Sequence, residues 1–364
     1  MGPVPSRAPA PIWPQSGAWL AQGRGVESSL SNPSSKLLSV GDIGDMNLAW
    51  VPHLIVLETL LGAGYTSTDT ADTWCYEDPK CGPETWAALG HCNGTRQSPI
   101  NIVTPAAVHN PHLGAVSLAG YGDARKLIYM KNKGTTVEVH LADGLHLSAQ
   151  GLPAIYTAKS FHLHWGQGAA RPGSEHFINH KQFSMELHIV HTKNNLSMAD
   201  ALKDPEGIAV LAFFLQATAH ARPSRSWDSF TRHLKNVALK EKKTNLDGSF
   251  SLRGLLGSVD LARYYRYHGS LTTPYCDEVV VWTVFPSPIL VPPGVVAAFP
   301  SILRSTNSDA GPRLQNNYRP LQSLGNRQVQ ASAALRVTPS SSSTLRPAAV
   351  IPLLISTAAI AWHL

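Results

Sequence analysis

The chain contains the stretch Phe161-His162-Leu163-His164-Trp165, in which apolar residues alternate with two histidines. Side chains alternate between the faces of a β-strand, so a strand here directs both histidines to one face. The three apolar residues point to the other face and can pack into a core. Two imidazoles about 6 to 7 Å apart along one strand can share a single metal ion.

A second β-type run, Glu186 to His191, offers a third histidine. His188 shares a strand face with Glu186 and Val190. Three neutral imidazoles leave zinc its full charge and one open position for water, which is typical of a catalytic site. The spacing also allows an alternative of surface or hydrogen-bonded histidines, because the chain has 16 of them. The metalloprotease motif His-Glu-x-x-His does not occur.

Working outward, short β-type runs separated by Gly, Pro and Asn continue from about Trp74 to Ala334. The 364 residues are 43% apolar and only 15% charged, which favours a loop-rich, β-dominated enzyme over a helical bundle. We predict one mostly β (α+β) domain over residues 70–334, built on a central, mostly antiparallel sheet. The predicted strands include Lys126–Met130, Thr135–His140, Ser160–Trp165, Met185–His191 and Val279–Phe285.

Helical patterns are few and short. Gly207–Thr218 is uniformly apolar, so its periodicity does not distinguish a buried strand from a helix. Trp227–Val237 predicts a short amphipathic helix on the surface.

The net charge of +6 does not indicate a nucleic-acid partner. The densest basic run, Lys240 to Lys243, is interrupted by Glu241 and has no interleaved aromatic residues. We interpret it as a solvated loop.

The four cysteines suggest an exported protein. No Cys-x-x-Cys pair occurs, and the even number suits two disulfides in an oxidising compartment, with free core thiols as the alternative. Two glycosylation sequons, at Asn93 and Asn195, favour export as well. The cysteines are Cys75, Cys81, Cys92 and Cys276.

The C-terminal segment, residues 348–364, is almost wholly apolar. A Ser-rich spacer at residues 335–347 precedes it. Small residues, a spacer and a terminal apolar tail are typical of a GPI-anchor signal, with a tail-anchor helix or a disordered end as the alternative. The candidate attachment residues are Ser340, Ser341, Ser342 and Ser343.

The N-terminal segment has two parts. Residues 1–45 are rich in Pro, Ser and Gly, which predicts a disordered extension or a gene-model artefact. Residues 46–66 contain an apolar run after Met46, which we interpret as a signal peptide. Glu58 interrupts that run and no basic residue opens it.

The chain resembles the α-class carbonic anhydrases from about Trp74 to Ser332. The resemblance implies a single domain around a twisted, mostly antiparallel sheet of about ten strands, with zinc at the foot of a conical cleft. The matching segments occur in family order: Arg96-Gln97-Ser98-Pro99-Ile100-Asn101, Phe161 to Gly166, Ser174-Glu175-His176, Glu186-Leu187-His188, Gly269-Ser270-Leu271-Thr272-Thr273-Pro274 and Asn317-Tyr318-Arg319-Pro320.

Within that family, the cysteines and the tail look most like the GPI-anchored extracellular isozymes, types four and fifteen. That likeness implies disulfides Cys75–Cys81 and Cys92–Cys276. It also implies a location at the extracellular face of the plasma membrane.

The resemblance implies a role for each site residue. Zinc held by His162, His164 and His188 would carry a hydroxide that attacks carbon dioxide. Thr272 would accept a hydrogen bond from this hydroxide and donate its own proton to an ionised Glu175. Glu186 would orient His188, and His176 and Tyr267 would form a buried supporting pair. Thr273 would help to hold bicarbonate. The apolar wall for carbon dioxide would consist of Val190, Val210, Leu271 and Trp282.

Two positions depart from the family pattern. Thr135 stands where the fastest members carry a histidine that exports the proton, and threonine does not titrate near neutrality. Ser160 stands where the family often has a glutamine that orients His162. We therefore predict an active enzyme whose turnover is limited by buffer.

The sequence thus predicts a zinc enzyme for reversible hydration of carbon dioxide to bicarbonate and a proton. Sulfonamides and anions would inhibit it at the zinc. The alternative is a catalytically weak, carbonic anhydrase-related extracellular binding module. Such relatives typically lose a zinc histidine, and all three are present here.

Overall fold

The computed structural model describes residues 74–335, which contain fourteen strands and four α-helices. The strands are β1 Asn101–Ile102, β2 Val108–His109, β3 Ser117–Ala119, β4 Leu127–Asn132, β5 Val137–Leu141, β6 His146–Ser148, β7 Tyr156–Trp165, β8 Phe177–Ile178, β9 Met185–Lys193, β10 Ile208–Ala217, β11 Lys243–Asn245, β12 Tyr265–Gly269, β13 Val280–Val291 and β14 Gln330–Ala331. The helices are α1 Met198–Ala201, α2 Arg225–Leu234, α3 Leu252–Leu256 and α4 Pro293–Ile302.

Twelve of these strands form one large mixed sheet in the order β11-β4-β5-β7-β9-β10-β13-β12-β14-β2, with β6 on β7 and β3 on β6. Most neighbours are antiparallel, and the pairs β10–β13 and β14–β2 are parallel. The separate pair β1–β8 is also parallel. The predicted fold class, a mostly antiparallel sheet with a few short helices, is confirmed.

The ambiguous segment Gly207–Thr218 is strand β10. It lies between β9 and β13, and both faces of the sheet are covered there, so its residues from Ile208 to Leu215 are all buried. A strand covered on both faces needs no polar alternation, which explains its uniformly apolar sequence.

The predicted helix at Trp227–Val237 is α2 followed by a 3₁₀ turn, Lys235–Val237. Ser224 caps its N-terminus by accepting a hydrogen bond from the Trp227 amide at 3.4 Å. Trp227, Phe230 and Leu234 form its buried face.

The two faces of the sheet carry different chemistry. Phe161 and Leu163 of β7 and Ile189 of β9 point into the main core, which also receives the buried face of α2. Residues one position away in sequence, among them Val190 of β9, point to the opposite face. That opposite face holds the candidate site.

Two disulfides join the cysteines in the pairing that the family resemblance implies: Cys75–Cys81 and Cys92–Cys276. The second links segments 184 residues apart. Cys276 comes directly after the loop that contains Thr272 and Thr273, so the Cys92–Cys276 disulfide connects that loop to the N-terminal part of the domain.

Several predictions concern residues outside 74–335: the extension 1–45, the signal peptide 46–66, the Ser-rich region with Ser340–Ser343, and the tail 348–364. Within residues 74–335, no helix is both long and apolar enough to cross a membrane.

Candidate active site

The register of β7 and β9 brings the three histidines together. The two strands are antiparallel, with His162 directly opposite His188 and His164 one step along on the same face. The ring centroids lie 5.0 Å apart for His162 and His164, 5.3 Å for His162 and His188, and 4.6 Å for His164 and His188. One nitrogen from each ring lies within 4.8 Å of the others, so the group can hold a metal ion.

The hydrogen bonds of the outer ring nitrogens determine which nitrogens face inward. His164 Nδ1 donates to the carbonyl of Asn317 at 2.7 Å, and His188 Nε2 donates to Glu186 Oε1 at 2.7 Å. His164 Nε2 and His188 Nδ1 are then both acceptors, and they lie 3.1 Å apart. Two facing lone pairs repel unless a cation lies between them. Nitrogens 2.0 to 2.1 Å from a tetrahedral zinc are about 3.3 Å apart, so this pair fits zinc.

The three rings are held neutral, as metal ligands must be. Burial, together with repulsion from His164, lowers the pKa of His162 to about 3. Burial and the neighbouring His188 lower the pKa of His164 to about 3. The pKa of His188 is lowered to about 4, chiefly by burial.

Glu186 is a fully buried carboxylate with four hydrogen bonds. Oε2 accepts from the amides of Glu175 and His176 at 2.9 and 2.8 Å. Oε1 accepts from the rings of His188 and His176, both at 2.7 Å. Burial opposes its ionisation, but the hydrogen bonds that it accepts from His176 and His188 outweigh burial and lower its pKa. Glu186 therefore fixes the ring orientation of His188.

His176 continues this network. Its Nδ1 donates to Glu186, so its Nε2 accepts from the hydroxyl of Tyr267 at 2.6 Å. His176 is fully buried and Tyr267 is 1% exposed. The pair packs behind Glu186 and fixes the His176 ring that donates to it.

Glu175 lies beside this network with one oxygen unpaired. Its Oε1 accepts from the Arg319 amide at 2.9 Å, while Oε2 is buried without a partner and lies 3.9 Å from His188 Nδ1. The Thr272 hydroxyl is among the groups that lower the Glu175 pKa, yet it makes no hydrogen bond of ordinary geometry to Oε2. Burial and the charge of Glu186 dominate and raise that pKa.

The predicted apolar wall is a continuous patch. Val190, Val210 and Trp282 occupy matching positions on three adjacent strands, and Leu271 packs against the same cluster. Trp282 Nε1 donates to the Ser270 carbonyl at 3.0 Å, which ties the wall to the loop before Thr272. Thr273 is half-buried on that loop.

Two contributors were not assigned a role by the sequence reasoning. Asn317 supplies the carbonyl that orients His164, and its side chain accepts from the Trp165 amide at 2.8 Å. Arg319 donates its amide to Glu175. Both lie in the Asn317-Tyr318-Arg319-Pro320 segment, so the motif was visible, but its backbone contacts were not.

Thr135 and Ser160 are the two positions at which the sequence analysis expects departures from the family pattern. Thr135 is half-buried and, with Gly134 and Leu314, lines a cleft of about 330 Å³. The Ser160 hydroxyl donates to Glu138 Oε2 at 3.4 Å. No hydrogen bond within residues 74–335 joins Ser160 to His162.

Comparison with known proteins identifies the class. The eukaryotic-type carbonic anhydrase family model matches residues 81–333. Carbonic anhydrase 4 of Mus musculus is 39% identical, over 77% of this chain and 91% of that protein. Carbonic anhydrase 15 of Mus musculus is 37% identical, over 76% and 88%. Carbonic anhydrase 12 of Homo sapiens is 34% identical, over 71% and 73%.

The chain therefore belongs to the eukaryotic-type carbonic anhydrase family. It is an enzyme of that class, whose general reaction is the hydration of carbon dioxide.

Proposed function

We propose that this protein is a zinc-dependent carbonic anhydrase that interconverts carbon dioxide and bicarbonate outside the cell. The observation that carries the proposal is the pair of facing lone pairs on His164 Nε2 and His188 Nδ1, 3.1 Å apart, with His162 beside them. Zinc on neutral imidazoles acidifies water, which supplies a nucleophile at neutral pH.

The residues around the histidines would orient the reacting water. If the Thr272 hydroxyl turned its proton towards Glu175, it would keep a lone pair free to accept a hydrogen bond from that water. This direction requires an ionised Glu175, since a protonated acid could donate to Thr272 instead. A cation on the histidines would favour the ionised form, because Glu175 Oε2 lies 3.9 Å from His188 Nδ1.

The apolar wall would receive the substrate. Carbon dioxide is small and apolar, and Val190, Val210, Leu271 and Trp282 offer it no hydrogen bonds beyond the Trp282 indole, which is already paired. Thr273, the residue after Thr272, would hold bicarbonate as it forms. Sulfonamides and small anions would compete for the same position beside the histidines.

The complete histidine set favours an enzyme over a silent binding module. Stopped-flow measurement of carbon dioxide hydration tests this with protein as purified, after chelation, and after zinc is restored. We expect activity to disappear with the metal and return with it. Activity that survives complete zinc removal would contradict the mechanism.

We further propose that the enzyme is glycosylated and GPI-anchored at the extracellular face of the plasma membrane. Two disulfides and two exposed sequon residues, Asn93 and Asn195, support export. The apolar tail after Ser340–Ser343 supports the anchor.

Enzymatic treatments of cells that express the full chain test these modifications. A phospholipase C specific for phosphatidylinositol should release the protein, and a peptide N-glycosidase should lower its apparent mass. Retention on the cells after the lipase would refute the GPI anchor. N-terminal sequencing tests the signal peptide: a mature chain that still contains Ser16 or Trp19 would rule it out.

A further inference from the structure

Strand β5 places two polar side chains on the same sheet face as the histidine site. Val137 and Val139 point into the core, so Glu138 and His140 point to the opposite face. In the ladder with β7, Glu138 is directly opposite His162 and His140 is directly opposite Ser160. On this face of the sheet, His140 is therefore the next position after Glu138, the residue opposite His162, and it lies about 6 to 7 Å further along the strand direction.

A row of contacts joins these residues and holds the His140 ring. The Ser160 hydroxyl donates to Glu138 Oε2 at 3.4 Å, and His140 Nε2 lies 2.7 Å from Glu138 Oε1. The Tyr129 ring of β4 stacks on His140, with centroids 4.3 Å apart and planes 20° apart. Lys243 of β11 lies over Tyr129, with its amine 3.6 Å from the ring centre.

The exposure of the pair suits transfer between the site and solvent. The side chain of His140 is 39% exposed and that of Glu138 is 21% exposed, whereas His164 and His188 are buried. The Glu138 carboxylate lies against Nε2 of His140, and within residues 74–335 no hydrogen bond involves Nδ1, so Nδ1 is open to accept a proton. Imidazole is the side chain whose ordinary titration range includes neutral pH.

We propose that His140, positioned by Glu138, is the proton relay of this enzyme and replaces the histidine that is missing at Thr135. The proposal rests on the proposed function. Hydration converts carbon dioxide and water into bicarbonate and one proton. That proton passes through water to His140 Nδ1, the resulting imidazolium is paired with the Glu138 carboxylate, and a buffer base then removes the proton.

The surroundings of His140 agree with a group that changes charge. The groups that face it are Glu138 on its own strand, Ser160 on β7 and Tyr129 on β4, with Lys243 behind Tyr129. Of these, the Glu138 carboxylate is the nearest charged group, with its Oε1 2.7 Å from His140 Nε2.

The test is His140→Gln in the full-length, zinc-loaded enzyme, with hydration measured in weak, non-imidazole buffer. We expect kcat to fall several-fold while kcat/KM for carbon dioxide stays unchanged, because proton export follows the hydration step. Added imidazole should restore kcat. His268→Gln is the matched control: His268 is also half-exposed beside a carboxylate, 3.8 Å from Glu206, but points away from the site face.

A second variant separates proton relay from a structural effect. Thr135→His in the His140→Gln background should restore turnover, since it supplies an imidazole at another position. The proposal is overturned if His140→Gln matches His268→Gln, or if kcat and kcat/KM fall together without rescue by imidazole. A wild-type enzyme without activity would instead refute the proposed function.

Discussion

The floor and the rim of the site are built in different ways. The floor consists of His164, His188, Glu186, Glu175 and Asn317, each no more than 1% exposed. The rim consists of Thr135, Glu138, His140 and Ser160, and only Ser160 among them is buried, at 9% exposure.

The difference lies in how many contacts hold each side chain. In the floor, Glu186 alone accepts four hydrogen bonds and the outer nitrogens of His164 and His188 are both fixed. In the rim, Ser160 has one long hydrogen bond, and His140 relies on a stacked ring and a single carboxylate. A buried unpaired polar group costs about 1 to 3 kcal/mol, so the floor tolerates little change. The rim can change while the floor stays intact.

The largest expected effect follows from breaking the floor at a ligand. His164→Ala removes a nitrogen that no neighbour can replace, so we expect loss of bound zinc and of carbon dioxide hydration. Metal analysis and stopped-flow kinetics measure both, with His268→Ala as the exposed-histidine control. A His164→Ala protein that keeps one zinc per chain would contradict the assignment.

A smaller effect is expected from Glu186→Gln. The amide can no longer accept from both rings and both backbone amides, so His188 loses its fixed orientation. We expect zinc affinity to fall about 10- to 100-fold, with activity largely recovered at high zinc. Competition with a chelator measures the affinity, and Glu206→Gln provides a half-exposed control. Equal affinities for the two variants would show that Glu186 does not orient the ligand.

At the rim, Thr135→His should increase activity. An imidazole at this cleft position adds a proton acceptor, so turnover in weak buffer should rise several-fold while kcat/KM stays the same. Thr135→Ala should leave turnover unchanged. If Thr135→His gives no rise in weak buffer, an imidazole at this position does not add to proton export.

The stability of the metal-free protein should also depend on pH. The pKa values of His162, His164 and His188 are lowered to about 3, 3 and 4 by burial, against about 6.5 in an unfolded chain. Between pH 4 and pH 6.5 these histidines are protonated in the unfolded chain but neutral in the folded protein. The free energy of unfolding is therefore highest above pH 6.5 and decreases as the pH falls towards 4. Glu175, whose pKa is raised, acts in the opposite sense.

Thermal unfolding of metal-free protein between pH 7 and pH 4.5 measures this trend. A variant with all three histidines changed to Gln keeps Glu175 and should show a weaker decline. The same slope for both proteins would mean that these rings are not held neutral by the fold.

Much of the fold and site could be predicted from local pattern. Alternation predicted a strand with His162 and His164 on one face and a second strand with His188 beside Glu186 and Val190, and β7 and β9 are these strands. The strand at Thr135–His140 was predicted too early, because β5 begins at Val137. Gly134 has a positive φ of 80°, and a turn in which Lys133 N donates to the Thr136 carbonyl precedes the strand.

The sequence by itself determined which residue types are available and which faces they occupy, because side-chain alternation is a local property of a strand. The three histidines and their apolar partners were visible in it. Only the tertiary structure decided which nitrogen of each ring points inward. That choice depends on acceptors such as the Asn317 carbonyl, 153 residues from His164, and on a register that places His140 beside Ser160.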